Sequence, residues 1–118
     1  MFKYTDGNQE IKIQVASTFF SRFKGLMGRR ELQDDEALLL WPCSSIHTFF
    51  MKFHIDVVFL SKDNYIVNIV KDIPPWSIWP PVKGSSKVLE FKGGTLDRLS
   101  IKKGEKLEFI PCTNHNME

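Results

Sequence analysis

The sequence is short of the features that announce most functional classes. It has two cysteines, Cys43 and Cys112, too few for a disulfide framework; free thiols and, in an oxidising setting, a single disulfide both stay open. Charge of one sign is scarce: 16 Lys and Arg stand against 14 Asp and Glu, leaving a formal net charge of +2. Without clustered basic residues, nucleic acid is not expected as a partner. No apolar run approaches the length of a membrane span, and the opening MFKYTDGNQE has no signal-like apolar core, so the expectation is a cytoplasmic protein. No Gly-x-Ser-x-Gly elbow occurs. Gly25-Leu26-Met27-Gly28 lacks the Lys-Ser/Thr of a phosphate loop, and no strand feeds directly into a helix start there.

What is present points to an ordinary globular core. Over 118 residues the chain is 42% apolar and 13% aromatic, with ten Phe and three Trp, which excludes disorder. A chain of this length buries about two-thirds of its unfolded surface and needs no metal or disulfide to fold. One β-rich domain is expected over residues 1–112, with residues 113–118 fraying.

Periodicity divides the chain into short strands. Phe2 and Tyr4, then Ile11, Ile13 and Val15, alternate with polar neighbours around Asp6-Gly7, which predicts a hairpin. Phe19, Phe20, Phe23, Leu26 and Met27 fall at helical spacing behind Ser17 or Thr18 as N-cap, which predicts one short helix over about 18–27. Strands are expected over 38–41, 45–51, 55–60, 65–71, 88–91 and 106–110, with a helical turn at 96–99. The proline-rich 73–81 reads as an ordered loop. The expected fold class is mainly β: an antiparallel β-sandwich or flattened barrel with one short N-terminal helix. A β-α-β alternation is absent from this reading.

Three stretches together carry a resemblance. They are Arg22-Phe23-Lys24-Gly25-Leu26-Met27-Gly28-Arg29, the run from Cys43 through His47, Thr48, Met51 and Asp56 to Leu60, and Val88-Leu89-Glu90 with Gly94, Ile101, Gly104 and Glu105. In this order and spacing the chain resembles the domain of unknown function 192 family over about residues 10–110. That family usually has Asp after the glycine matching Gly104; Glu105 here keeps the charge. The resemblance implies a small, mainly-β, jelly-roll-like domain of bacteria and archaea, and no settled activity.

Several side chains invite a functional reading beside a structural one. Cys43, His47 and Met51 are soft donors, but four residues of strand span roughly 13 Å, too far for one ion, so no metal and no other cofactor is expected. Met51 and Cys43 then read as core fillers. In a regular strand His47 shares a face with Cys43, Phe49 and Met51; it is either tied to a neighbouring acceptor or set in a ligand cleft. Asp56 opens a very apolar strand and must be paired, hydrogen-bonded or left at a pocket mouth. An Arg22–Asp56 ion pair docking the helix on the sheet is the structural expectation. Glu90 is a second carboxylate on an apolar strand, and acid–base chemistry would need Asp56 and Glu90 in one cleft. Trp76 and Trp79 sit on a loop stiffened by prolines and either bind a sugar or protein surface or close an end of the fold.

Two functions follow from these residues. The first is a non-catalytic binding module for a small polar ligand, carbohydrate among them, or for a protein partner, using His47, Met51, Asp56, Trp76 and Trp79. The alternative is a hydrolase or lyase using Asp56, Glu90 and His47.

Overall fold

The computed structural model describes residues 1–18 and 32–112. In chain order it has β1 (Phe2–Asp6), β2 (Gln9–Ala16), β3 (Glu36–Leu40), β4 (Ile46–His47), β5 (Ile55–Leu60), β6 (Ile66–Ile73), β7 (Ile78–Trp79) and β8 (Lys87–Lys92). A single 3-10 turn (Thr95–Arg98) and β9 (Ile110–Pro111) follow. The expected helix over 18–27 falls almost wholly outside the described residues, as does the tail.

Seven strands form one mixed sheet in the order β6-β5-β8-β3-β2-β1-β9, and β4 and β7 form a separate two-stranded ribbon. The β1–β2 hairpin turns at Gly7, which takes φ 62°, as the Asp-Gly pair requires. The next pairing departs from the antiparallel expectation. β2 and β3 run parallel, with Lys12 to Ala16 in register with Glu36 to Leu40. Local periodicity carries no mark of strand direction, which is why the sequence reads as an antiparallel series.

The central strands are buried on both faces. Every residue of β5 is buried, and alternate side chains enter two different cores. Val58 and Leu60 join Ile11, Ile13, Leu39, Leu89, Phe91 and Leu96, whereas Ile55, Val57 and Phe59 join Leu38, Leu40, Ile46, Met51 and Val88. Burial on both sides explains why β5 is apolar at every position but Asp56. The second core is closed in part by the β4–β7 ribbon, whose Ile46 and Trp79 pack into it.

The far edges of the large sheet are joined by one segment. β9 pairs with β1 at one edge. Just upstream, the Ile66 amide donates to the Glu105 carbonyl and the Leu107 amide donates to the Asn64 carbonyl at the start of β6, at 2.8 and 2.9 Å. The sheet therefore curves around the first core without a continuous closing ladder, and it is not a closed barrel. No helix among the described residues is long and apolar enough to cross a membrane.

Candidate binding face

The expected strand over 45–51 is cut short after His47, and the cause is a pair of turns tied to one threonine. In the first turn, Thr48 to Met51, the Met51 amide donates to the Thr48 carbonyl at 3.2 Å and Phe50 takes φ 64°. In the second, Pro74 to Ser77, Pro75 is followed by Trp76 at φ 63°. Proline second and a positive φ third is the pattern of a type II turn, in which glycine or asparagine normally fills the third place. Both turns put an aromatic side chain there instead.

Thr48 holds the two turns together and is fully buried. Its hydroxyl donates to the Pro74 carbonyl at 2.6 Å and accepts from the Ser77 amide at 2.7 Å, standing where the second turn would otherwise close on itself. Its amide donates to the Ser77 carbonyl and its carbonyl accepts from the Trp76 amide, at 2.8 and 2.9 Å. Every polar group of this residue is engaged, which makes the pair of turns one rigid unit.

Period-two alternation then sorts the side chains. Ile46, Thr48 and Trp79 face inward, and His47, Phe49, Trp76 and Ile78 face outward. The outward rings form a chain: His47 to Phe49 at 5.1 Å between centroids, Phe49 to Trp76 at 6.0 Å, and Phe50 to Trp76 at 4.7 Å. Phe50, Trp76 and Ile78 are 56, 62 and 65% exposed. His47 is half-buried, and its Nδ1 accepts from the Phe49 amide at 3.2 Å. A groove of about 280 Å³ runs beside this face, lined by Lys71, Asp72, Ser77, Ile78 and Trp79.

The residues singled out in the sequence are thus divided. His47 and Trp76 come together on the outward face. Met51, 4% exposed, and Trp79 belong to the core beneath it. The expected common face of His47, Cys43 and Met51 is not formed, because the left-handed Phe50 reverses the alternation and turns Met51 inward. The sequence places Phe49 beside His47 but singles out neither Phe50 nor Ile78; the signal for all three is the complete lack of Asp, Glu, Lys and Arg from 41–51 and 73–82.

Asp56 is a structural anchor. It is 1% exposed, and its carboxylate accepts from three backbone amides: Asp72 at 2.8 Å, Gly94 at 3.0 Å and Leu96 at 2.9 Å. The Asp72 amide belongs to a bulge in β6, where two residues, Lys71 and Asp72, oppose Asp56, and Asp72 itself takes φ 57°. One carboxylate therefore stitches β5 to the bulge and to the turn after β8. Gly93 in that turn is pressed against His54, whose carbonyl would lie 3.1 Å from any added Cβ. Arg22 lies outside the described residues, and with it the expected Arg22–Asp56 pair.

Glu90 is buried on the other side of the sheet. It stands opposite Leu38 and Val57, whereas Asp56 stands opposite Phe91. Residues paired across strands share a face, so the two carboxylates point to opposite faces and do not line one cleft. Among the described residues no hydrogen bond reaches the Glu90 carboxyl, and burial pushes it up to about 8. No disulfide joins Cys43 and Cys112, and the Cys43 Sγ donates to the Ser45 carbonyl at 2.9 Å.

Comparison with known proteins gives the chain its relatives. The family model of domain of unknown function 192 (DUF192), described as "Uncharacterized ACR, COG1430", matches residues 2–109. A UPF0127 protein of Pyrococcus furiosus is 29% identical over 115 residues, covering 92% of this chain and 97% of its own. A UPF0127 protein of Thermococcus sibiricus is 32% identical over 103 residues, covering 83% of this chain, which spans 66% of that relative's length. Among solved structures, a protein of unknown function from Novosphingobium aromaticivorans superposes with a TM-score of 0.80 at 27% identity, covering 92% of this chain and 84% of that one. A Sinorhizobium meliloti protein, at TM-score 0.79 and 23% identity over 92% of this chain and 91% of its own, shares the fold alone. The chain belongs to the DUF192 family, whose members named here are uncharacterised.

Proposed function

We propose that this protein is a non-catalytic binding module that meets its ligand through the outward aromatic face of the β4–β7 ribbon. The observation that carries the reading is the placement of Phe50 and Trp76 at turn corners that favour glycine. Each left-handed bulky residue costs about 1–3 kcal/mol, and such strain clusters at binding and catalytic sites. Here it holds two rings out of the core, in mutual contact and more than half exposed. A ring needed for packing would be inside.

The contact surface in this reading is His47, Phe49, Phe50, Trp76 and Ile78, with Met51, Trp79 and Thr48 as its support. Asp56, fully occupied by backbone amides, positions the neighbouring bulge and takes no part in contact. Acid–base catalysis by Asp56 and Glu90 draws no support from their placement.

The test is a binding screen read by tryptophan fluorescence and thermal shift, with wild type and Trp76→Asn side by side. Asparagine tolerates the left-handed corner and removes the ring. The reading expects a ligand that stabilises the wild type and not the variant; at about 100 times its Kd the gain is roughly 2.7 kcal/mol. A ligand bound equally by both proteins would place the site elsewhere and overturn the reading.

A further inference from the structure

We infer that the surface meeting this aromatic face is an anionic lipid bilayer, so that the protein docks on a membrane without crossing it. The inference rests on the binding reading above and names its partner. Its first ground is charge. The two segments that build the ribbon, 41–51 and 73–82, hold no Asp, Glu, Lys or Arg in twenty-one residues of a chain that is 25% charged. A surface with that composition is suited to losing its water.

The second ground is residue type. The side chains exposed there are Trp76, Phe50 and Ile78, with Trp41 at 49% exposure on the chain entering the ribbon. Tryptophan at the level of lipid headgroups, with apolar neighbours entering the acyl boundary, is the usual composition of an interfacial anchor. The third ground is the sign of the flanking charge. Each uncharged segment is followed at once by a lysine, Lys52 and Lys83, neither of which has an ion-pair partner among the described residues. Lys87 lies 5.5 Å over the Trp41 ring. The carboxylates preceding and bordering the face are already engaged, Asp72 by His54 at 2.8 Å and Asp97 by Lys71 at 2.9 Å. Lysines near an anionic leaflet strengthen attachment by about fivefold each.

The same face is poorly suited to a sugar. A saccharide stacked on Trp76 would need several polar partners for its hydroxyls, and within the outward set only His47 and the Trp76 indole carry polar side-chain groups, Lys71, Asp72 and Ser77 lying in the groove beside it. A bilayer makes no such demand. The rigidity of the Thr48-linked turns also fits a wedge inserted into headgroups, since little ordering is left to be done on contact.

The experiment is cosedimentation of the full chain with vesicles of phosphatidylcholine alone and with one-quarter phosphatidylglycerol, at low and at 0.5 M salt. Binding to the anionic vesicles, with a blue shift of tryptophan emission, is expected. It should weaken at least tenfold in Trp76→Asn and severalfold in the Lys52→Glu/Lys83→Glu protein, and fall at high salt. Circular dichroism of each variant checks that it is folded. Absence of binding at millimolar lipid overturns the inference. If a soluble ligand is then found whose binding is lost in Trp76→Asn, the binding face stands with another occupant. Vesicle binding unchanged in Trp76→Asn also overturns the inference, because attachment would then lie off this face.

Discussion

Removing the charge-forming group of Glu90 should change how stability depends on pH. Its carboxyl ordinarily ionises near 4.5 and is pushed up to about 8 by burial against Leu38 and Val57. The folded chain therefore holds a proton that the unfolded chain releases. Because the folded value is the raised one, its stabilising contribution is complete below about 4.5, declines as the pH rises, and is gone above about 8. A displacement of this size is worth about 3–5 kcal/mol at 1.36 kcal/mol per unit, a large share of the stability of a domain this size. Glu90→Gln keeps the shape and cannot ionise. Urea unfolding from pH 5 to pH 9 on both proteins is the assay, and the histidine titrations common to the two drop out of the difference. The variant should match the wild type within about 1 kcal/mol at pH 5 and exceed it by about 3 kcal/mol at pH 9. Parallel curves across that range would refute the argument and require that Glu90 ionise normally inside the sheet.

Three other outcomes follow from the same geometry. Asp56→Ala leaves the amides of Asp72, Gly94 and Leu96 without an acceptor, and should cost about 3–5 kcal/mol in urea unfolding. Thr48→Val keeps the volume but orphans the Pro74 carbonyl and the Ser77 amide; a loss of about 2–4 kcal/mol is expected, with any ligand binding at Trp76 weakened in parallel. Gly93→Ala forces a Cβ to within 3.1 Å of the His54 carbonyl, and a Tm lowered by several degrees should result.

Local chemistry is legible in this sequence wherever a strand or turn is decided by its own residues. Asp6-Gly7 marks the hairpin, and the expected strand over 55–60 coincides with β5. Glu90 and Asp56 are marked by the cost of placing a carboxylate among Val, Leu and Phe, yet their opposite directions are not. In the strands buried on both faces nearly every remaining position is apolar, so period two gives no indication of which core a side chain enters. The binding face is hidden for a different reason. Phe50 is turned into the left-handed region by Thr48, whose partners Pro74 and Ser77 lie 26 and 29 residues further along the chain. Local propensity at Phe49-Phe50-Met51 favours continuing the strand, and long-range hydrogen bonding overrides it. The parallel pairing of β2 with β3 is likewise a choice of neighbour, which no local pattern encodes.

The central claim is that Trp76 is held outside by the fold for contact and not for stability. About two-fifths of the residue's surface is buried, roughly 90 Å², worth about 2 kcal/mol. Relief of its left-handed strain returns about 1–3 kcal/mol when the corner is given to asparagine. The most direct measurement is the urea unfolding free energy of Trp76→Asn against wild type, without ligand. The two should agree within about 1 kcal/mol, the small remainder of two opposing effects. A loss of 3 kcal/mol or more, the cost of removing an aromatic side chain from a core, would contradict the account and make Trp76 part of the fold.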